Sequence, residues 1–331
     1  MRKTAILTSA MFLLTVAFVA GETGQQQAQT GQQQGQRQGG EGRGRGGNPP
    51  DPRTAGGGSC TNSVYNCIDT PNPLPAVNTV WLEEMTWMDV RDAMKAGKTT
   101  IIISTGGIEP NGPWLALGKH NYVLRANCDA IARKLGNALC APILPFVPEG
   151  GIEPKTSHMT TVGTISMREE TFQAILTDMV HSFKMHGFQN IILIGDSGGN
   201  TRGMAAVAAK FNAEWNASPV VAHIREYYDY NSVSQYMEKQ GLIKEGQSDG
   251  LHDDPIITMN MMVTDPNSVR WEQRVKAKKA TINGVSIADK AKALALGKRI
   301  VDYRADITAT KIKEAIANKG VTLGGRGGGS R

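Results

Sequence analysis

The feature that most constrains the fold is Ile191 to Ile194, an unbroken apolar run that leads directly into Gly195-Asp196-Ser197-Gly198-Gly199-Asn200. A strand wetted on one side alternates apolar and polar residues. An uninterrupted apolar run is the mark of a strand covered on both faces, as in a parallel sheet. The glycines permit a tight turn, and Thr201 to Trp215 then shows helical spacing. The same alternation recurs along the chain. Thr99 to Ser104 is a β-branched run followed by a Gly-rich loop, and Val123 to Leu135 is helical in spacing. Ala141 to Val147 reads as a short apolar strand, Glu169 to His186 as a helix closed by Gly187, and Val220 to Ile224 as the next strand. Ile287 to Asn318 reads as a long amphipathic helical region broken once. This order predicts an α/β fold, a three-layer α/β/α sandwich with a mainly parallel central sheet. Ligands of such sheets sit beyond the carboxyl ends of the strands. That rule selects the loop after Ser104, the loop after Val147 and the turn after Ile194.

The two ends differ from this core. Arg2 and Lys3 precede an apolar stretch to Ala20, the pattern of a signal peptide over residues 1–20. That stretch is too short for a stable membrane span. Residues 21–59 are almost all Gly, Gln, Arg, Pro and Thr, and 324–331 form a Gly/Arg tail. Neither segment has the apolar surface needed to offset ordering entropy, so both are expected to be disordered. One domain is thus expected over residues 60–323, in a protein exported to the periplasm or beyond. The formal net charge is +6, but Arg37, Arg43, Arg45, Arg53, Arg326 and Arg331 lie in the ends. The domain itself is closer to neutral, and no nucleic-acid partner is expected. Of the four cysteines, Cys60 and Cys67 bracket a short loop suited to a local disulfide, while Cys128 and Cys140 read as buried thiols.

Three segments carry candidate chemistry. The loop Thr105-Gly106-Gly107-Ile108-Glu109-Pro110-Asn111-Gly112-Pro113-Trp114 leads on to His120. Glu109 and His120 are a carboxylate and an imidazole able to converge on one metal ion, although the spacing alone equally suits a solvated loop glutamate and a helix-capping histidine. Asp196 follows an apolar strand, where a ligand or general base belongs, or it caps the helix that follows. His252 sits in Asp249-Gly250-Leu251-His252-Asp253-Asp254-Pro255, a second metal or acid/base candidate that also reads as an Asx-rich turn. Gly195 to Gly199 also fits the nucleophile elbow of serine hydrolases. In that reading Ser197 is the nucleophile, His252 the base and Asp229 or Asp249 its orienter.

Together the segments resemble the creatininase family of metal-dependent amidohydrolases, from about Val80 to Ala305. The stretches that carry the resemblance are Glu84-Met85-Thr86-Trp87 with Asp89-Val90, Gly107 to Gly118, Ser157-His158 with Gly163-Thr164-Ile165-Ser166, and Gly187-Phe188 to Asn200, with His252 on a family histidine. The resemblance implies hydrolysis of an amide or cyclic amide in a small molecule, one or two divalent ions per subunit, and a homo-oligomer, commonly a hexamer. Zinc, manganese or iron suit mixed carboxylate and imidazole ligands. The motif glutamate is kept as Glu109. Asn111 and Trp114 stand where the family has histidines, His120 where it has a bridging aspartate, and Ser197 where it has another histidine. The ligand types have exchanged places. The expected site therefore has Glu109, His120 and Asp196 on the metal and His252 moving the proton, with Asp196 and Ser197 also at the reacting centre. Asn111, Ser197, Asn200 and His158 face substrate and Trp114 walls the pocket. The alternatives are the serine hydrolase and a degenerate binding or scaffold member of the family. His181, His186 and His223 read as structural or exposed.

Overall fold

The computed structural model describes residues 59–322. The expected signal peptide, nearly all of the linker and the Gly/Arg tail lie outside the described residues. The chain divides into two units, one up to Thr70 and one from Pro71. In the first, the Ser63 hydroxyl accepts from the Tyr65 N–H and starts a single turn over Val64–Asn66. A disulfide joins Cys60 to Cys67 across that turn.

The second unit carries the predicted alternation. Helix α1 (Trp87–Lys95) begins at a reciprocal cap between Thr86 and Asp89, which satisfies two otherwise orphaned N–H groups. Strand β1 (Thr100–Thr105), α2 (Lys119–Leu135), β2 (Ala138–Cys140), α3 (Glu169–Met185), β3 (Asn190–Gly195), α4 (Thr201–Glu214) and β4 (Val220–His223) follow. The strands form one parallel sheet in the order β2-β1-β3-β4. Successive side chains point to opposite faces, so each strand feeds two cores. Ile101, Ile103, Ile191, Leu193 and Val221 pack with Phe172, Leu176, Val180, Met204 and Phe211 of α3 and α4. Ile102, Ile192, Ile194 and Ala222 pack with Leu124 and Ile131 of α2 and with Ala305 and Ile312. Each fully buried isoleucine contributes roughly 1.5–3 kcal/mol relative to exposure. The apolar runs thus enforce the three layers.

The chain continues through α5 (Tyr230–Lys239), α6 (Pro255–Thr264), α7 (Trp271–Lys276), a small antiparallel pair β5 (Thr281–Ile282) and β6 (Val285–Ser286), and α8 (Lys290–Ala317). A third core of Val233, Met237, Met259, Met262, Leu296 and Ile300 joins α5, α6 and α8. Among the described residues, no helix is long and apolar enough to cross a membrane.

Three expectations are corrected. No strand forms over Ala141 to Val147: β2 lies just before it and ends at Cys140, and only isolated bridges remain at Leu144 and Val147. Pro142, Pro145 and Pro148 have no N–H and cannot sustain a ladder. The long C-terminal helix is unbroken from Lys290 to Ala317. Its Gly297 marks a close crossing, because a Cβ there would meet the Met259 carbonyl oxygen at 2.3 Å. Cys128 and Cys140 form a disulfide rather than two thiols. Helix α2 packs directly on β2, which brings their Cα atoms to 6.3 Å, within the span a disulfide needs.

Candidate active site

The three selected segments meet at the carboxyl ends of β1 and β3. Around them lies a cavity of about 520 Å³, lined among others by Glu109, Lys119, His120, Glu149, Ser197 and His252. Asn200 locks the floor. Its Nδ2 donates to the Thr105 and Gly106 carbonyls at 3.0 and 2.9 Å, tying the turn after β3 to the one after β1.

Glu109, His120 and Asp196 do come together, but in a row. His120 Nδ1 donates to Asp196 Oδ2 at 2.9 Å, and its Nε2 lies 3.1 Å from Glu109 Oε1. Asp196 is thus on the opposite side of the imidazole from Glu109, and one ion cannot touch all three. The expectation of Asp196 as a direct ligand is corrected to a place behind His120. There it accepts from Tyr230 Oη at 2.8 and 3.0 Å and from Arg304 Nη2 at 3.0 Å. Arg304 also donates to the Tyr227 carbonyl at 2.9 Å. Burial opposes the charge of Asp196, but the Arg304 charge and the His120 hydrogen bond outweigh it and hold the carboxyl below its usual range. Burial likewise opposes protonation of His120, while its hydrogen bond to Asp196 and the nearby Glu109 carboxylate raise its pKa.

On the other side of the ring stand residues that the sequence reading did not name. Lys119 Nζ donates to Glu109 Oε1 at 2.8 Å, with both side chains buried. Glu149 enters from the loop after Val147, one of the three selected segments. Gly107 leaves room for it, since a Cβ there would meet Glu149 Oε1 at 2.1 Å. Burial, and then the charge of Glu109, push the Glu149 carboxyl up to about 8. Burial also opposes the charge on Glu109, but interactions with His120 and His252 and the Lys119 ammonium hold that carboxyl well below the usual range. Glu109, His120 and Glu149 are all buried, and one donor atom from each lies within 4.8 Å of the others. His120 Nε2 and Glu149 Oε1 have no hydrogen-bond partner. Two carboxylates and an imidazole, with two of their buried atoms unsatisfied, are a donor set that fits a divalent ion.

His158 and His252 approach Glu109 from the cavity mouth. His158 Nε2 is 3.4 Å from Oε2, and His252 Nδ1 is 3.8 Å from Oε1. The loop before α6 is tethered by a buried pair, Arg274 Nη2 to Asp253 Oδ2 at 2.7 Å, and by Asp254, which caps α6 through the Ile257 N–H.

Other candidates are engaged elsewhere. Asn111 Nδ2 donates to the Glu109 carbonyl at 2.7 Å and braces its own loop. Trp114 packs in the core of α5, α6 and α8 and does not line the cavity. With Asn200 committed to the floor, these three are corrected from substrate contacts to scaffold. Ser197 Oγ lines the cavity 3.5 Å from Glu149 Oε2, and no hydrogen bond joins it to His252 among the described residues. Asp229 caps α5 through the Ser232 N–H, and Asp249 accepts from the Leu251 N–H, so each expected orienter of a serine triad holds its own turn.

A signal for Arg304 was present. It lies four residues from both Ile300 and Thr308 on the buried stripe of α8, where a charge requires a partner. Lys119 and Glu149 carried weaker signals. One adjoins a candidate ligand, and the other stands between Pro148 and Gly150 at a strand-end loop.

A family model described as Creatininase, creatinine amidohydrolase, matches residues 83–323. A solved creatinine amidohydrolase (creatininase) shares the fold with a TM-score of 0.51 at 19% identity, covering 73% of this chain and 98% of that one. A manganese creatininase gives 0.50 at 17% identity, covering 73% and 99%. A protein of Bacteroides fragilis NCTC 9343 assigned as a creatinine amidohydrolase gives 0.50 at 19%, covering 72% and 97%. At these identities the likeness is one of fold. No curated protein sequence matches the chain.

Proposed function

The chain belongs to the creatininase family, and from that premise we propose that it hydrolyses an amide or cyclic amide with a divalent ion held by Glu109, His120 and Glu149. The observation that carries this reading is the buried trio itself, with His120 Nε2 and Glu149 Oε1 unsatisfied. The ion, when bound, polarises the carbonyl and makes water a stronger nucleophile. Asp196 keeps the proton of His120 on Nδ1 and so leaves the Nε2 lone pair free, the arrangement of a carboxylate–histidine–metal triad. Arg304 and Tyr230 fix Asp196 in turn. Lys119 lines the cavity beside Glu109 and offers an ammonium to a developing oxyanion. His252, at the mouth, is placed to hand a proton to the leaving nitrogen.

The mixed donor set suits zinc, manganese or iron, and a manganese creatininase is among the fold relatives. The two disulfides suit an oxidising compartment and support export. One observation favours the non-catalytic alternative: the Lys119 ammonium already gives Glu109 a cationic partner. Metal analysis of the purified chain, followed by assay on a panel of linear and cyclic amides with and without chelator, separates the two. Bound metal with chelator-sensitive turnover is expected. Bound metal without turnover on any amide would leave a binding protein.

A further inference from the structure

We infer that Lys119 is a placeholder cation: its ammonium holds Glu109 in the empty site and passes to Asp254 when a divalent ion takes its place. The inference rests on the metal reading above and deepens it, as a device that regulates loading of that site. Lys119 stands where a lysine is costly. It opens the 17-residue helix α2, where the helix dipole disfavours a cation, and its side chain is 3% exposed. A buried ammonium needs a partner, and the 2.8 Å hydrogen bond to Glu109 Oε1 is the only one from Nζ among the described residues. That nitrogen ties down no other group, so what the lysine contributes is its charge. The same Oε1 lies 3.1 Å from His120 Nε2, the orphaned nitrogen of the inner trio. An ion about 2.0–2.2 Å from this oxygen would stand within about 5 Å of the ammonium. Two cations that close in a buried site repel strongly, so ion and ammonium compete for one carboxylate.

A lysine suits such an exchange, being a compact point charge on a flexible four-carbon stem. The cavity supplies its second partner. Four carboxylates line it: Glu109, Glu149, Asp196 and Asp254. Glu109 and Glu149 belong to the ion, and Asp196 is held behind His120 by Arg304. Asp254 is left. Its Oδ1 accepts from the Ile257 N–H at 2.9 Å, and no ion pair engages it among the described residues. Burial pushes its carboxyl up to about 6, and the Ile257 N–H and then the Lys119 charge act against that, so the two side chains already sense one another. Turned towards Asp254, the ammonium stays in the cavity, where the oxyanion role proposed above needs it. Asp254 is two residues from His252, so the exchange also carries the state of the inner site to the mouth loop.

The test is a double-mutant cycle on Zn(II) affinity in the full chain, read by competition with a chromophoric chelator, using Lys119→Met and Asp254→Asn. Asparagine can still cap α6. Lys119→Met should bind Zn(II) about tenfold more tightly or better, because the competing charge is gone. Asp254→Asn should bind it several-fold more weakly, because the displaced ammonium loses its acceptor. In the Lys119→Met background the Asp254 change should have no effect. Lys119→Gln, which keeps a donor towards Glu109 without the charge, should gain affinity likewise, so a misfolded methionine variant leaves the test intact. Thermal unfolding adds a second readout. With chelator, Lys119→Met should melt below wild type, since Glu109 is left buried without its cation. With saturating Zn(II) that gap should close, whereas a lysine that merely braces its loop would leave it open. Wild-type or weaker affinity in both Lys119 variants would overturn the exchange and leave the metal reading standing. An Asp254→Asn effect of equal size in both backgrounds would overturn the passage to Asp254. Zn(II) bound by the Lys119 variants alone would support the exchange, with the lysine closing the site. Zn(II) bound by neither wild type nor variants would remove the metal reading and the inference with it.

Discussion

His120 and His252 both approach Glu109 Oε1, at 3.1 and 3.8 Å, yet the side chain of the first is 4% exposed and that of the second 55%. The inner half of the site is built on regular elements. His120 is in the first turn of α2, Asp196 follows β3, Arg304 is on α8, and their mutual bonds are short and buried. The outer half is built on loops, with left-handed backbone at Ser157 and His252 and one buried ion pair as tether. Packed elements fix a geometry in advance, whereas loops can adjust to what enters. The inner half is suited to holding an ion and the outer half to admitting substrate.

The largest expected effect falls where the halves join. Glu109→Gln removes the carboxylate that the inner trio needs and that both His120 and His252 face. Metal content should fall to zero, and amide turnover by about a thousandfold or more, since the charge stabilisation lost is several kcal/mol. Retained metal in this variant would mean the halves are independent.

Next comes a change confined to the inner half. Arg304→Met leaves Asp196 buried beside His120 and Tyr230 without its guanidinium. Breaking a buried ion pair from one side costs about 3–5 kcal/mol, to be read as a shift in the urea midpoint. The double variant at the exposed His158 and His252 should scarcely move that midpoint. Comparable losses in both would erase the distinction between a packed and an adaptable half.

Asp196→Asn tests orientation rather than burial. An amide facing Nδ1 can donate instead of accepting, which shifts the His120 proton to Nε2 and points it at the inner ion position. Affinity for the ion should drop roughly 10–100-fold, as is usual when a partner behind a ligand is changed.

The pH dependence of the metal-free protein should also come from the inner half. The Glu149 carboxyl is raised from 4.5 to about 8, so the folded state binds this proton more tightly than the unfolded chain. Its contribution to stability is therefore greatest below pH 4.5, declines as pH rises to about 8, and is flat beyond. Urea unfolding of chelated protein across that window should show the decline, and Glu149→Gln should abolish it. Metal should remove it too, because a bound cation favours the carboxylate.

What could be read from the sequence follows the same division. Ile191 to Ile194, with the turn after them, announced a covered parallel strand and a strand-end Asp196, because both are local patterns. Glu109 and His120 were recognisable because one loop-to-helix passage carries both. The order of the row, with His120 between the carboxylates, depends on how α2 sits against β3, and no spacing encodes that. Glu149 was missed because its link to Glu109 spans two strand-end loops. Asn111, Trp114 and Asn200 were misplaced for the converse reason. A polar or aromatic residue near a motif has backbone and core partners available, and here it uses them.

The smallest expected effect is at Ser197, the junction of inner wall and cavity. A serine nucleophile needs a base within hydrogen-bond reach and an orienter behind that base. Ser197 Oγ instead has Glu149 Oε2 at 3.5 Å, a contact at the limit of a hydrogen bond, and His252 is directed at Glu109. Removing the hydroxyl leaves the donors of the inner trio in place and deletes at most one weak bond to a carboxylate. Ser197→Ala should therefore keep amide turnover within about tenfold of wild type, since a single neutral hydrogen bond is worth about 0.5–1.5 kcal/mol. Metal content should be unchanged, and a fluorophosphonate should leave the wild type unlabelled. Covalent labelling at Ser197, or loss of turnover in the alanine variant with its metal still bound, would move the chemistry from the inner trio to the turn after β3.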